Sequence, residues 1–332
     1  MIVLDDDGLE FHFPEVHEAA RCRIDFQRTL RIPDDGGDYP LPPGLGSFPL
    51  RHLDDYAARL PDAWRRRGGV IMPMYQAEAL WIAFDASYPF AVKVSAGKVC
   101  ALTGDGWAER LNRDPQDYLV LPDQPWLDGF CVEKGIIRQF VAMPLGEGYT
   151  AEEQLTGAAE HGGLQIVAFP MKVERYEALL KDQLRMFEPL LHSCSFAEDG
   201  MGLAPGGRMK QDIYDDPYGL DAWDQRQASR CFVSIVNTVQ WLAIAGERPP
   251  AEPPTAEAYS RYGLPWFDYY DADRQALAGS NKLKGLRSVA EHTAAQGKAP
   301  LPDNGTVDVP RVVDLGKPRG RRVREAAEEV PA

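Results

Sequence analysis

VIMPMYQAEALWIAFDASYPFAVKVSAGKVCALT, residues 70–103, decides the fold class. Four runs rich in β-branched and aromatic residues, 70–75, 79–84, 90–95 and 99–103, are separated by short links that carry Gly, Pro or charged residues, the pattern of consecutive strands. Parallel neighbours need a crossover of a dozen residues or more, so links this short predict antiparallel pairing. Residues 118–121 continue the series, and two further strand-like runs, 136–143 and 164–169, flank a glycine-marked connection, with 136–143 expected in the same sheet system as 70–103.

Upstream, 23–32 alternates as a half-buried strand does, with Ile24, Phe26, Leu30 and Ile32 on one face. It ends at PDDGGDYPLPPGLGSFP (33–49), whose five prolines and four glycines rule out a helix or a sheet ladder. Leu41, Leu45 and Phe48 within it suggest an ordered loop wrapped on the body. Asp54 or Asp55 is expected to cap a short helix through Trp64. Downstream, Thr150 and Glu153 have capping-box spacing, and Val173, Tyr176, Leu179, Leu180, Leu184 and Phe187 recur at helical spacing before Pro189. Gly200 to Gly207 reads as a turn, 231–245 as buried strand or helix, and Pro249, Pro250, Pro253 and Pro254 as a stiff linker. A short helix is expected near 272–279. The fold class is therefore α+β, a mainly antiparallel β core with a few packed helices and long Pro/Gly-rich loops. The expected organisation is a core domain over 1–248, a helical extension packed on it over 249–297, and a mostly irregular tail over 298–332. Within that tail 307–315 alternates enough to add an edge strand.

The 332 residues are 44% hydrophobic and 26% charged, enough apolar mass for a sizeable core. With 36 Lys and Arg against 50 Asp and Glu the net charge is −14, a mean field that repels a nucleic acid backbone. A basic cluster, Lys317 to Arg324, remains near the C-terminus as a solvated tail. Asp5, Asp6 and Asp7 stand where a secretory signal carries basic and apolar residues, and no run is long enough to span a membrane. Five cysteines without a CxxC motif point to reduced thiols in a cytoplasmic protein.

Candidate binding chemistry gathers in the stretch 116–171. Asp123, Trp126 and Asp128 form a turn-like cluster punctuated by Pro122, Pro125 and Gly129. A tryptophan beside carboxylates is suited to hold a ligand or equally to anchor its own loop in the core. Arg138, inside a run of Ile, Phe and Val, requires a carboxylate if it faces inward, with Asp128, Glu133 and Glu147 the nearby options. His161 follows Glu160 and precedes two glycines, an exposed setting without an evident partner. Cys131 is the thiol it would activate, if the fold joined them. Asp212, Asp215, Asp216, Asp221 and Asp224 are the densest carboxylates, but their spacing departs from an EF-hand loop. His192 and Cys194 lack a second pair at zinc spacing, and GLAPGG (202–207) lacks the GK[ST] ending of a P-loop.

The phrases RTLRIPDDG (28–36), YPLPPGLGSFPL (39–50), VIMPMYQAEALW (70–81), YPFAVKVSAGKV (88–99) and GLPWFDYY (263–270) resemble a group of uncharacterised bacterial proteins. The resemblance implies one integrated unit to about Tyr270 and carries over no catalytic residue or substrate. The absence of a recognisable catalytic motif favours a cytoplasmic, non-catalytic binding or assembly protein, with a protein partner or a second copy of the chain as its partner. The rival is an enzyme, most readily a hydrolase using His161 with a carboxylate or a bound cation. No cofactor, metal, nucleic acid or membrane is expected.

Overall fold

The computed structural model describes residues 1–183, 201–269 and 274–315. The last turn of the helix expected before Pro189, His192, Cys194, residues 272–273 and the basic cluster from Lys317 lie outside them. The architecture is mixed α and β, with mainly antiparallel sheets and a few helices.

Strand Ala79–Ala86 lies between Arg21–Thr29 and Ile136–Met143, antiparallel to both. This first sheet continues through Gly8–His12 to Ile2–Asp5 on one side and to Gly202–Lys210 on the other. In the second sheet Phe90–Ala96 pairs with Leu164–Pro170, which pairs with Ser229–Val236 and so with Val70–Pro73. Contrary to expectation, residues 70–103 do not build one sheet with Ile136–Met143: only Ala79–Ala86 joins it, and the strands before and after belong to the second. A short link excludes a parallel neighbour but permits departure to another sheet. Neither 74–78 nor 87–89 has the two-residue turn that folds a strand back on its neighbour. Instead Met74 and Tyr88 are buried in these links, and the Tyr88 hydroxyl donates to the Met171 carbonyl at 2.7 Å.

Alternation builds the core. Phe90, Val92 and Val94, with Leu164 and Ile166, share one buried apolar cluster with Ile24, Phe26, Leu80 and Ile82 of the first sheet. Each such side chain contributes about 2 kcal/mol when fully buried. Lys93 and Ser95 alternate onto the opposite face, beside Gln165. There Lys93 is satisfied by Asp117 at 2.7 Å and by the Ala108 and Arg110 carbonyls.

Several local expectations change. The loop 33–49 does enter the first sheet, through Asp38–Tyr39 beside Arg208–Met209 and Gly44–Ser47 beside Arg21–Thr29, because two to four residues between its prolines suffice for an edge pairing. Of the helix expected near 272–279, the described residues 274–279 are not helical. Gly202–Lys210 is a sheet strand instead of a turn, and its glycines serve close approach: a Cβ on Gly207 would sit 2.3 Å from the Pro33 carbonyl oxygen. The helix expected through Trp64 breaks at Pro61 into a 3₁₀ turn, Leu53–Arg59, and a helix, Asp62–Arg67; Asp54 and Asp55 lie in the first turn instead of capping it. Residues 231–245 divide at Asn237 into strand Ser229–Val236 and helix Thr238–Ala245. The Thr150–Glu153 capping box forms, on helix Ala151–Thr156. Beyond Gly297, Asn304 bonds the Asp34 backbone in both directions, Val307 is buried, and Val312–Asp314 pairs in parallel with Trp266–Asp268. No helix among the described residues is long and apolar enough to cross a membrane.

Candidate functional site

Trp126–Leu127 pairs antiparallel with Ala79–Ala86, Trp126 opposite Ala83. Cross-strand partners share a face and side chains repeat every second residue. Trp126 and Trp81 therefore stand together on the outer face, while Leu127 and Ile82 enter the core. Two glutamines fix this backbone: the Gln211 side chain accepts from the Asp128 N–H at 2.9 Å and donates to the Trp126 carbonyl at 3.2 Å, and Gln124 donates to the same carbonyl at 3.0 Å. The Tyr269 ring meets Trp126 edge-on at 4.9 Å.

The Pro-rich loop supplies the facing wall. Leu41 and Phe267 exchange backbone hydrogen bonds of 2.8 and 2.9 Å, which bring Leu41, Pro42, Phe267 and, from the tail, Leu315 opposite the two tryptophans. Together with Asp128 these residues bound a cavity of about 250 Å³, about eight waters' share of liquid volume.

Asp128 is the anomaly in this enclosure. It is 5% exposed, and its Oδ2 has no hydrogen-bond partner. Among the described residues no Lys, Arg or His pairs with it. Burial pushes its carboxyl up to about 7, opposed only by a hydrogen bond from the Trp126 side chain to the carboxyl. A buried carboxyl left in this state costs the fold stability, and perturbed groups in clefts mark functional sites.

The other sequence candidates lie elsewhere. Asp123 pairs with Arg274 at 2.7 Å. Arg138 finds its carboxylates at Asp34, 3.8 Å away, and Glu291, 3.5 Å away, not at Asp128, Glu133 or Glu147, because the 33–49 loop and helix Val289–Ala295 fold over it. His161 has a partner nine residues upstream: its Nδ1 lies 3.2 Å from Glu152 Oε1. Glu152, 1% exposed, also accepts the Gly162 N–H at 2.8 Å and the His161 N–H at 3.3 Å, so it braces the loop. Cys131 is buried, and its thiol is pushed up to about 12 by that burial, the reverse of an activated nucleophile. Of the five candidates, the cavity unites Trp126 and Asp128 only.

The acidic segment disperses similarly. Asp215 approaches Arg113, Asp221 pairs with Arg175, and Asp224 accepts the Arg226 N–H. Among the described residues no three His, Cys, Asp or Glu side chains gather to hold a metal ion.

Sequence reasoning missed Trp81 and Phe267. Trp81 did carry a signal, since it alternates with core residues Leu80, Ile82 and Phe84 and so places a large ring among the outer-face residues Ala83 and Asp85. Comparison with protein-family models, with curated proteins and with solved structures finds no match for this chain.

Proposed function

We propose that this is a non-catalytic binding protein whose ligand is a small organic molecule held between Trp81 and Trp126 over the Asp128 carboxyl. One observation supports the reading above all: an aromatic cavity lined by Asp128, a buried carboxyl with no cationic partner among the described residues and with one oxygen unpartnered. Ligand sites combine mostly apolar walls with a few placed polar groups, and this cavity has that composition. Its size favours a ligand below drug size, and the half-buried tryptophans make occupancy visible as a change in indole emission.

The reading is tested by titrating the protein with single-ring aromatic compounds of positive, neutral and negative charge while following tryptophan fluorescence. Saturable quenching that is reduced in Trp126→Phe and in Trp81→Phe supports it. Quenching that never saturates up to millimolar ligand, or that survives both substitutions unchanged, overturns it.

A further inference from the structure

We infer that the cavity bounded by Trp81, Trp126, Phe267 and Asp128 selects an organic ammonium ion, an apolar body carrying one protonated amine, an inference that rests on the binding reading above. The polar demand of the cavity is one-sided. Asp128 offers an acceptor oxygen with no donor directed at it, and an ammonium group supplies both the missing donors and the missing charge. The two glutamines nearest the site are spent on backbone: Gln211 and Gln124 bind the Trp126 carbonyl, and Gln211 also takes the Asp128 N–H. Neither is left to serve a second polar end of the ligand.

The remaining walls fit the same chemistry. Indole rings attract cations through their π faces, more strongly when water is excluded, and Trp81, Trp126 and Phe267 supply three aromatic rings around one carboxyl. Leu41, Pro42 and Leu315 give the apolar body of the ligand its contacts. At long range, the net charge of −14 raises the local concentration of cations and lowers that of anions.

Proton linkage follows from the same geometry. Burial holds the Asp128 carboxyl up at about 7, whereas the ion pair with an ammonium requires the carboxylate. Binding therefore releases a proton below about pH 7, and affinity rises about tenfold per pH unit up to that point, then levels until the amine itself deprotonates.

The experiment is calorimetric titration of the intact chain with benzylamine, benzyl alcohol and benzoate at pH 6 and pH 8, repeated on Asp128→Asn. At pH 8 benzylamine is expected to bind at least tenfold more tightly than benzyl alcohol, with benzoate weakest. The preference should shrink about tenfold at pH 6 and by about as much or more in Asp128→Asn at pH 8, where only the aromatic walls and the mean field still favour the cation. A cooperative urea transition shows independently that the variant is folded. Benzyl alcohol binding as tightly as benzylamine to the parent chain, or an ammonium preference undiminished in Asp128→Asn, overturns the ammonium assignment and leaves the binding reading standing. Failure of all three probes to bind overturns both.

Discussion

Asp128 and Asp216 are both carboxylates buried by the fold, and they are treated oppositely. Asp216 receives the Tyr118 hydroxyl at 2.6 Å, the Trp223 indole N–H at 3.1 Å, the Tyr218 and Gly219 N–H groups at 2.8 and 3.2 Å, and Arg113 at 3.2 Å. Asp128 has one oxygen with nothing at all. A carboxylate saturated with donors is a structural rivet, whose role is complete within the chain. A carboxyl left short of donors weakens the fold, and on the proposed reading a ligand supplies what the chain withholds. The contrast separates scaffold from site without reference to any motif.

The largest effect expected from this contrast is on pH dependence. Asp128 is raised from an ordinary 3.8 to about 7, so between those values the folded state holds a proton that the unfolded state has lost. The contribution of Asp128 to stability then falls as pH rises through this window, by about 4 kcal/mol. Asp128→Asn removes that term. Denaturation in urea at pH 4 and pH 8 should show the variant gaining on the parent chain with rising pH, and parallel curves for the two would break the comparison. Next in size, Asp216→Asn keeps the shape but places an amide group among donors, and should cost about 3 kcal/mol at pH 7. A loss below about 1 kcal/mol would mean that the five contacts carry little. The smallest effect concerns His161, which is partly exposed. Because Glu152 keeps the His161 and Gly162 N–H groups when the ring is removed, His161→Ala should change stability by less than about 1 kcal/mol; a larger loss would make the ring a rivet too.

How much of this was legible in the chain depends on the range of the interaction. The strands of 70–103 and the Thr150–Glu153 capping box were legible because neighbours in sequence decide them. The pairing of Ala79–Ala86 and Phe90–Ala96 into different sheets was not, since it depends on what Tyr88 meets in the core. Trp126 and Asp128 stood out between their prolines and Gly129, but Asp128 is unusual for what it lacks, and absence of a partner has no local pattern. Arg138, ten residues on, was a natural partner by proximity; Asp34 and Glu291, far away in sequence, hold it instead. Gly206 and Gly207 looked like a turn because a glycine demanded by a neighbouring backbone and one demanded by a bend are the same letter.

The parallel pairing of Val70–Pro73 with Ser229–Val236 joins segments about 160 residues apart. During synthesis at roughly 5–20 residues per second, the earlier strand waits on the order of ten seconds for its neighbour to be made. In that interval its apolar side chains, Val70, Ile71 and Met72, lack one lateral partner, and the nascent chain displays an incomplete sheet edge to other chains. Crowded expression should therefore raise aggregation at this edge before it affects the finished protein, and slowing or chaperoning translation should recover yield without altering the melting temperature of what folds.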